Sequence, residues 1–522
     1  MHSAYIREEF KMFALVLVLI PIVVYLYLKW NYSYWKRIGL EYIEPHLIYG
    51  NTKEFVKKEL SFGDQFAKLY KEFKSRGLKH GGVFMLQRPV YIPVDLDIVK
   101  NILQRDFNHF MNHGMFFNEE VDPLSGHLFN LEDEKWRKLR AKLTPTFTSG
   151  KMKMMFSTMV ECTEAFQQIL QNYANLNDAV DIKDIASRFT TDVIGSVAFG
   201  IDCNSLTNPK SEFRQFANKI FEQTTIRRFR NILASVIPRR VLIALKFKQT
   251  NPEVEDFFMG VIEGTVKYRE ENNLFRKDFM HLLLQLKNRG EVADDDRVIV
   301  DEKNNSHFLT LNEIAAQCFV FFIAGFETSA TTMTFALLEM ALNPDIQKML
   351  REEIETVLAK HDGVVSYEAV MEMNYLDKIV HETLRKHPPI PGAPRVCNKT
   401  YEIPNTNITL ESGTRVHIPF HAIHKDPDHY PDPEKFDPER FNEENKAKRH
   451  PFAFIPFGEG PRICIGARFG LLQAKVGLIS VIRNFEVTLN KKTIRPIRYT
   501  TKAFVTAIEG GVWLNVSKIE KN

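Results

Sequence analysis

Phe457-Gly458-Glu459-Gly460-Pro461-Arg462-Ile463-Cys464-Ile465-Gly466 is the stretch on which the reading of this chain turns. One cysteine sits in a glycine-punctuated loop, and the loop runs straight into the apolar helical pattern Ala467–Ile479. A thiolate at Cys464 would have backbone N–H groups aimed at it and a helix N-terminus behind it. Both favour charged sulfur, so the position suits a metal ligand. The alternative is a buried structural cysteine after a Gly-rich turn.

Working outward, nothing divides the chain. At about 150 residues per domain, 522 residues would make three or four. Yet no Gly/Ser-rich, Pro-rich or repeat stretch acts as a linker, and the polar run Asn288–Ser306 reads as a long surface loop. An apolar content of 44% is ample for one large core. A net charge of +4 gives no reason to expect nucleic acid as a partner. The charge is locally uneven, however. From Gln223 to Pro252 there are Arg227, Arg228, Arg230, Arg239, Arg240, Lys246 and Lys248 with no acid, mixed with large apolar residues. That mixture suits a surface dipping into an anionic membrane interface; the alternative is a basic, solvated helix pair. The five cysteines (Cys162, Cys203, Cys318, Cys397 and Cys464) form no Cys-x-x-Cys, which disfavours structural zinc and iron–sulfur clusters and fits reduced, cytosol-facing thiols.

Met12–Leu28 carries no charge over roughly 17 residues, the short end of what spans a bilayer. Tyr25, Tyr27, Trp30, Tyr32, Tyr34 and Trp35 crowd its C-terminal end like an interfacial aromatic belt. Glu8 and Glu9 in the leading segment, and the lack of a small-x-small site, argue against a cleaved signal peptide. Lys29, Lys36 and Arg37 follow the apolar run without an acid, which puts the body of the protein in the cytosol. The expected organisation is an anchor and basic juxtamembrane segment over 1–37, then one catalytic domain over 38–522. The Asn31, Asn304, Asn398, Asn407 and Asn515 sequons should then stay unmodified.

Three further patterns carry chemistry. Thr310-Leu311-Asn312-Glu313 is a capping box opening a long apolar helix that Asn343-Pro344 stops. The middle of that helix reads Ala324-Gly325-Phe326-Glu327-Thr328-Ser329: a glycine that costs roughly 1 kcal/mol but lets a flat ligand approach, then an acid and a hydroxyl in one turn. Glu382-Thr383-Leu384-Arg385 sets an acid and a base at i, i+3, and Pro438-Glu439-Arg440-Phe441 lies downstream. Trp136 and Arg140 stand at i, i+4 on a basic helix.

These motifs, in this order from about Ile38 to Trp513, resemble the cytochrome P-450 superfamily, whose haem loop is Phe-x-x-Gly-x-Arg-x-Cys-x-Gly. The resemblance is to the animal microsomal type, most like the clan of broad drug and steroid hydroxylases. It implies a mainly α fold with small β-sheets near the N-terminal part, one catalytic domain and haem b held by the Cys464 thiolate, with Phe457 in the haem loop. It implies that Trp136, Arg140, Arg395 and Arg462 meet the haem propionates, and that Glu382, Arg385 and Arg440 form a structural triad. It assigns Thr328 to stabilising activated dioxygen and Glu327 to feeding it protons. No Gly-x-Gly-x-x-Gly or flavin segment is present, so electrons must come from outside. The resemblance implies a membrane-bound NADPH–cytochrome P-450 reductase, with cytochrome b5 as an optional second donor, at the endoplasmic reticulum. Lys135, Arg137, Lys138 and Lys142 are candidates to receive the reductase's acidic face.

The pocket segments expected by resemblance are Phe110–Leu124, parts of Phe213–Phe247, Phe319–Ala324, Ile390–Ala393 and Ala503–Ala507. They hold Phe110, Phe116, Phe117, Phe221, Phe319, Phe322 and Phe504, which points to a lipophilic substrate such as a xenobiotic, steroid or fatty acid. Two or three of these rings should touch it and the rest should be core. One rival is a haem-thiolate isomerase or dehydratase that rearranges a peroxide without NADPH; the intact Glu327 and Thr328 argue against it. The other is a non-enzymatic haem or lipid carrier.

Overall fold

The computed structural model describes residues 2–222, 230, 234, 237–292 and 308–519. The main helices are α1 (His2–Tyr32), α2 (Phe62–Ser75), α3 (Asp133–Leu143), α4 (Ser149–Leu176), α5 (Ile182–Ile194), α6 (Glu212–Phe221), α7 (Pro252–Glu271), α8 (Phe279–Asn288), α9 (Leu311–Leu342), α10 (Pro344–Lys360), α11 (Asn374–Lys386) and α12 (Ala467–Ile482). The strands are β1 (His80–Met85), β2 (Arg88–Pro93), β3 (Val180–Asp181), β4 (Ala393–Val396), β5 (Tyr401–Glu402), β6 (Thr409–Leu410), β7 (Arg415–Ile418), β8 (Phe485–Leu489) and β9 (Trp513–Lys518).

α9 is the organising helix, and its ends follow local chemistry. The Thr310 hydroxyl accepts from the Glu313 N–H at 3.2 Å, and the Glu313 carboxylate accepts from the Thr310 N–H at 2.8 Å. Pro344 lacks the N–H that would continue the helix and opens α10 instead. α9 packs on α5 and α12, and with α4 they build the larger core. Among the described residues α9 alone has the length and hydropathy of a membrane span, but it is mostly buried in this core.

The sheets are only partly where the sequence placed them. β1 and β2 lie in the N-terminal part, but their sheet runs β1-β2-β7-β4, with β7 parallel to β2 in the register Val90↔Arg415. A second sheet, β3-β9-β8, ties Val180 to the C-terminal strand. Both pairings are long-range, and no local sequence signal announces them.

α1 leaves Val18, Leu19, Ile20, Ile22, Val23, Val24 and Leu26 exposed, while Leu28, Tyr32 and Trp35 enter the smaller core around the first sheet. The Trp35 indole N–H donates to the Val83 carbonyl at 3.0 Å. A Cβ at Gly82 would sit 2.4 Å from the Trp35 ring, so that glycine makes room for the indole. The segment after α1 has little proline, yet it is not loose: Ile43 N–H donates to Gly82 O and Gly82 N–H to Glu41 O, which fastens it to β1.

Candidate active site

The cysteine loop is shaped by two glycines with positive φ. Gly458 has φ +72°, and a Cβ there would meet nothing within 4 Å, so it opens onto free space. Gly460 has φ +74°, and a Cβ there would come 1.9 Å from the Leu103 carbonyl oxygen. Between loop and helix, the Cys464 N–H donates to the Phe457 carbonyl at 2.9 Å. The Cys464 side chain is accessible, but that surface faces an internal cavity rather than bulk solvent. Burial pushes its thiol up, while the Gly466 N–H and the Arg140 charge pull it down. The loop thus supplies the stabilisation read from the sequence, but desolvation outweighs it. A positive charge at the sulfur is needed to hold the thiolate.

The cavity has a volume of about 1030 Å³, and Cys464 shares it with Gly325 and Thr328 of α9. Thr328 donates to the Ala324 carbonyl one turn back at 2.5 Å, an ordinary resting place for a helical hydroxyl. Glu327 is not part of the lining. Its carboxylate pairs with Lys183 of α5 at 2.8 Å, and Lys183 also donates to Thr331 at 2.8 Å. Gly325 has a packing reason that the sequence did not show: a Cβ there would lie 2.5 Å from Ile194 Cδ1 of α5.

One region of the cavity lining is rich in guanidinium groups. Trp136, Arg140, Arg395, Phe457 and Arg462 all line the cavity. Arg462 lies over the Trp136 ring at 4.0 Å and donates to the Met111, Leu128 and Leu131 carbonyls. Arg395 on β4 is buried, and its Nε has no partner among the described residues. Burial and the neighbouring Arg395 both act against the Arg462 cation. His113 lines the cavity there, donates through Nδ1 to Phe129 O at 2.8 Å, and is pushed well down by burial and by the Arg395 and Arg462 charges. Such a cluster calls for anions. A flat cofactor with two carboxylates, open space over Gly458 and a sulfur ligand fit these residues. His113 and Lys183 carried no motif, and only the tertiary structure brings them in.

Away from the cavity, Glu382, Arg385 and Arg440 lie together. The Arg385 Nε and Nη2 donate to Glu382 at 2.7 and 2.8 Å with both side chains fully buried, and Arg440 Nε approaches Glu382 at 3.5 Å. Asp437 N–H completes the carboxylate's partners at 2.9 Å.

The aromatic expectation holds in part. Phe319 and Phe504 line the cavity. Phe110 packs on Tyr401, Phe116 on Phe247, Phe117 under Arg239, and Phe322 within a stack that includes Phe213, Phe258 and Phe326. Phe110, Phe117 and Phe322 are core, as most phenylalanines must be, and Phe116 is half-buried against Phe247, which lines the cavity; the Phe221 side chain lies outside the described residues, as do Arg227, Arg228, Asn304 and residues 293–307 of the expected surface loop. Of the basic stretch, Arg239 pairs with Glu132 and Lys248 with Glu255, so part of its charge is used inside the molecule.

The cavity fits a haem held by a cysteine, and the chain's similarity to known proteins puts it in the haem monooxygenase class. The chain belongs to the cytochrome P450 family, whose sequence model matches residues 41–514. It is 44% identical over 97% of its length to the probable cytochrome P450 6a14 of Drosophila melanogaster, covering 99% of that protein. Cytochrome P450 6a2 of the same fly is 41% identical over 97% of this chain and 100% of its own length. Cytochrome P450 6A1 of Musca domestica is 41% identical over 95% of this chain and 96% of its own.

Proposed function

We propose that this chain inserts one atom of dioxygen into a lipophilic organic substrate, with NADPH-derived electrons from a separate reductase. The observation that carries the reading is that Cys464 and Thr328 face one cavity whose lining includes Arg140, Arg395 and Arg462. Haem bound there through Cys464 would supply the activation of dioxygen. Arg395, Arg462, Arg140 and Trp136 would hold its propionates, with His113 as an additional donor. The Phe319 and Phe504 rings would orient the substrate and exclude water. The Thr328 hydroxyl, freed from Ala324 O, would hold a proton at the reacting face. Glu327 would move protons only after leaving Lys183, which makes that ion pair part of the delivery route.

The partner and location belong to the same reading. The exposed apolar face of α1 supports a single membrane anchor over about 12–28, with a cytosol-facing body over 38–522 on the endoplasmic reticulum. Val241, Ile243 and Leu245 are exposed beside Arg240 and Lys246 and would touch the same membrane. On α3, Lys138 is exposed and Lys142 half-buried, and neither has an ion pair among the described residues, whereas Lys135 is paired with Glu119 and Arg137 with Glu134, so Lys138 is the best candidate to meet the reductase, with Lys142 next. Reconstitution with reductase, NADPH and labelled dioxygen tests the reading. Product carrying one labelled atom, formed only when both are present, is expected. Rearrangement of a lipid hydroperoxide without them, and no labelled product, would establish the isomerase instead.

A further inference from the structure

Arg415 stands on β7, with Val90 of β2 and Val396 of β4 as its register partners. It is half-buried and lines the same cavity as Cys464 and Thr328. Phe62, Met85, Val90 and Phe504 are other lining residues of that cavity. No ion pair or side-chain hydrogen bond reaches the Arg415 guanidinium among the described residues, and the one charge acting on it is the like charge of Arg88 on β2. Arg88 is half-buried too, and no carboxylate acts on it. Of the other cationic groups of the lining, Arg462 is held by three backbone carbonyls and Lys219 by Glu253, while Arg140 and Arg395 belong to the cluster read above as the propionate site.

A half-buried cation with only another cation for company is unfavourable until an anion arrives. The guanidinium fork matches a planar carboxylate in two parallel hydrogen bonds, and an apolar cavity suits the hydrocarbon attached to it. We propose that Arg415 is a specificity-determining residue that binds the terminal carboxylate of a long-chain lipophilic acid, with Arg88 strengthening the local field. The inference rests on the reading of the cavity as the monooxygenase substrate site and narrows its substrate class. A phospholipid phosphate shares this chemistry, because Arg88 follows Gln87, whose carbonyl accepts from Asn31 at the end of α1.

The test uses full-length, haem-loaded protein in phosphatidylcholine vesicles. Laurate and methyl laurate are titrated by the substrate-induced change in haem absorbance, and by displacement of a fluorescent fatty acid, which needs no haem signal. Wild type should bind the acid at least about tenfold more tightly than the ester, the size of one charge-assisted contact. Arg415→Gln should bring that ratio close to one, Arg415→Lys should keep part of it, and Arg88→Gln should lower it less. An unchanged ratio in Arg415→Gln, or no acid preference in wild type, overturns the inference. So does added phosphatidylglycerol displacing laurate from wild type but not from Arg415→Gln, which would make a lipid headgroup the occupant. The carbon-monoxide band of each variant reports separately on the haem-thiolate reading. A normal band with an unchanged ratio sinks this inference alone.

Discussion

At the scale of single residues, the buried Glu382–Arg385 pair makes the sharpest demand. Both side chains are fully buried, and burial raises the Glu382 carboxyl above its usual range even with arginine beside it. Arg385→Ala would leave that carboxylate uncompensated, at a cost of about 3–5 kcal/mol. Haem-free or misfolded protein is expected, read as haem per polypeptide and as the urea midpoint. Normal haem content in this variant would contradict the triad. Arg440→Ala removes a longer contact and should cost less, about 1.5–3 kcal/mol. The i, i+3 spacing of Glu382 and Arg385 was legible in the sequence, but by itself it reads as an exposed ion pair; their lock with Arg440, like the role of Arg462, came from the family resemblance. Lys183, His113 and Arg415 were not legible. Each reaches its place through packing of segments far apart in the chain, and no local pattern marks a cation as lacking an anion.

Among the elements, α9 was the most legible, because a capping box and a proline define its ends in any context. What its central glycine is for was legible only in part. Gly325 does line the cavity, but its Cβ position points at Ile194 of α5, so close helix packing also requires it. Gly325→Val should overpack that contact and destabilise by about 1–3 kcal/mol. Gly260 on α7 provides the contrast: a Cβ there meets nothing within 4 Å. Gly260→Ala should stabilise by about 0.4–1 kcal/mol through helix propensity and unfolded-state entropy. Chemical denaturation of the two variants checks both signs. If Gly325→Val proved neutral, the α5–α9 contact would be looser than the geometry shows. The sheets were the least legible elements, since β2–β7 and β3–β9 join distant strands whose register depends on the finished core.

For the molecule as a whole, buried imidazoles set the acid limit. Burial lowers His387, which Glu339 and Tyr499 hold, to about 4, and His424, which accepts from the Ile455 N–H, to about 3. In the unfolded chain both protonate near about 6.5. Below that value the unfolded state binds protons that the folded state refuses, so stability is full above about 6.5 and falls as pH drops towards the folded values. Thermal midpoints taken from pH 7.5 to 4.5 should decline below about 6.5 and be flat above it. His424→Gln should flatten the decline, and an unchanged slope would remove His424 from the account. The proposed haem-thiolate centre would lie where the cysteine loop, α9 and the arginine-rich lining meet around one cavity, and that proposal has one direct measurement. It is the carbon-monoxide difference spectrum of the reduced, membrane-expressed protein beside Cys464→Ala. A strongly red-shifted Soret band that vanishes in the variant is the predicted result. A band at the ordinary imidazole–haem position in the unaltered protein would contradict Cys464 as the anionic ligand.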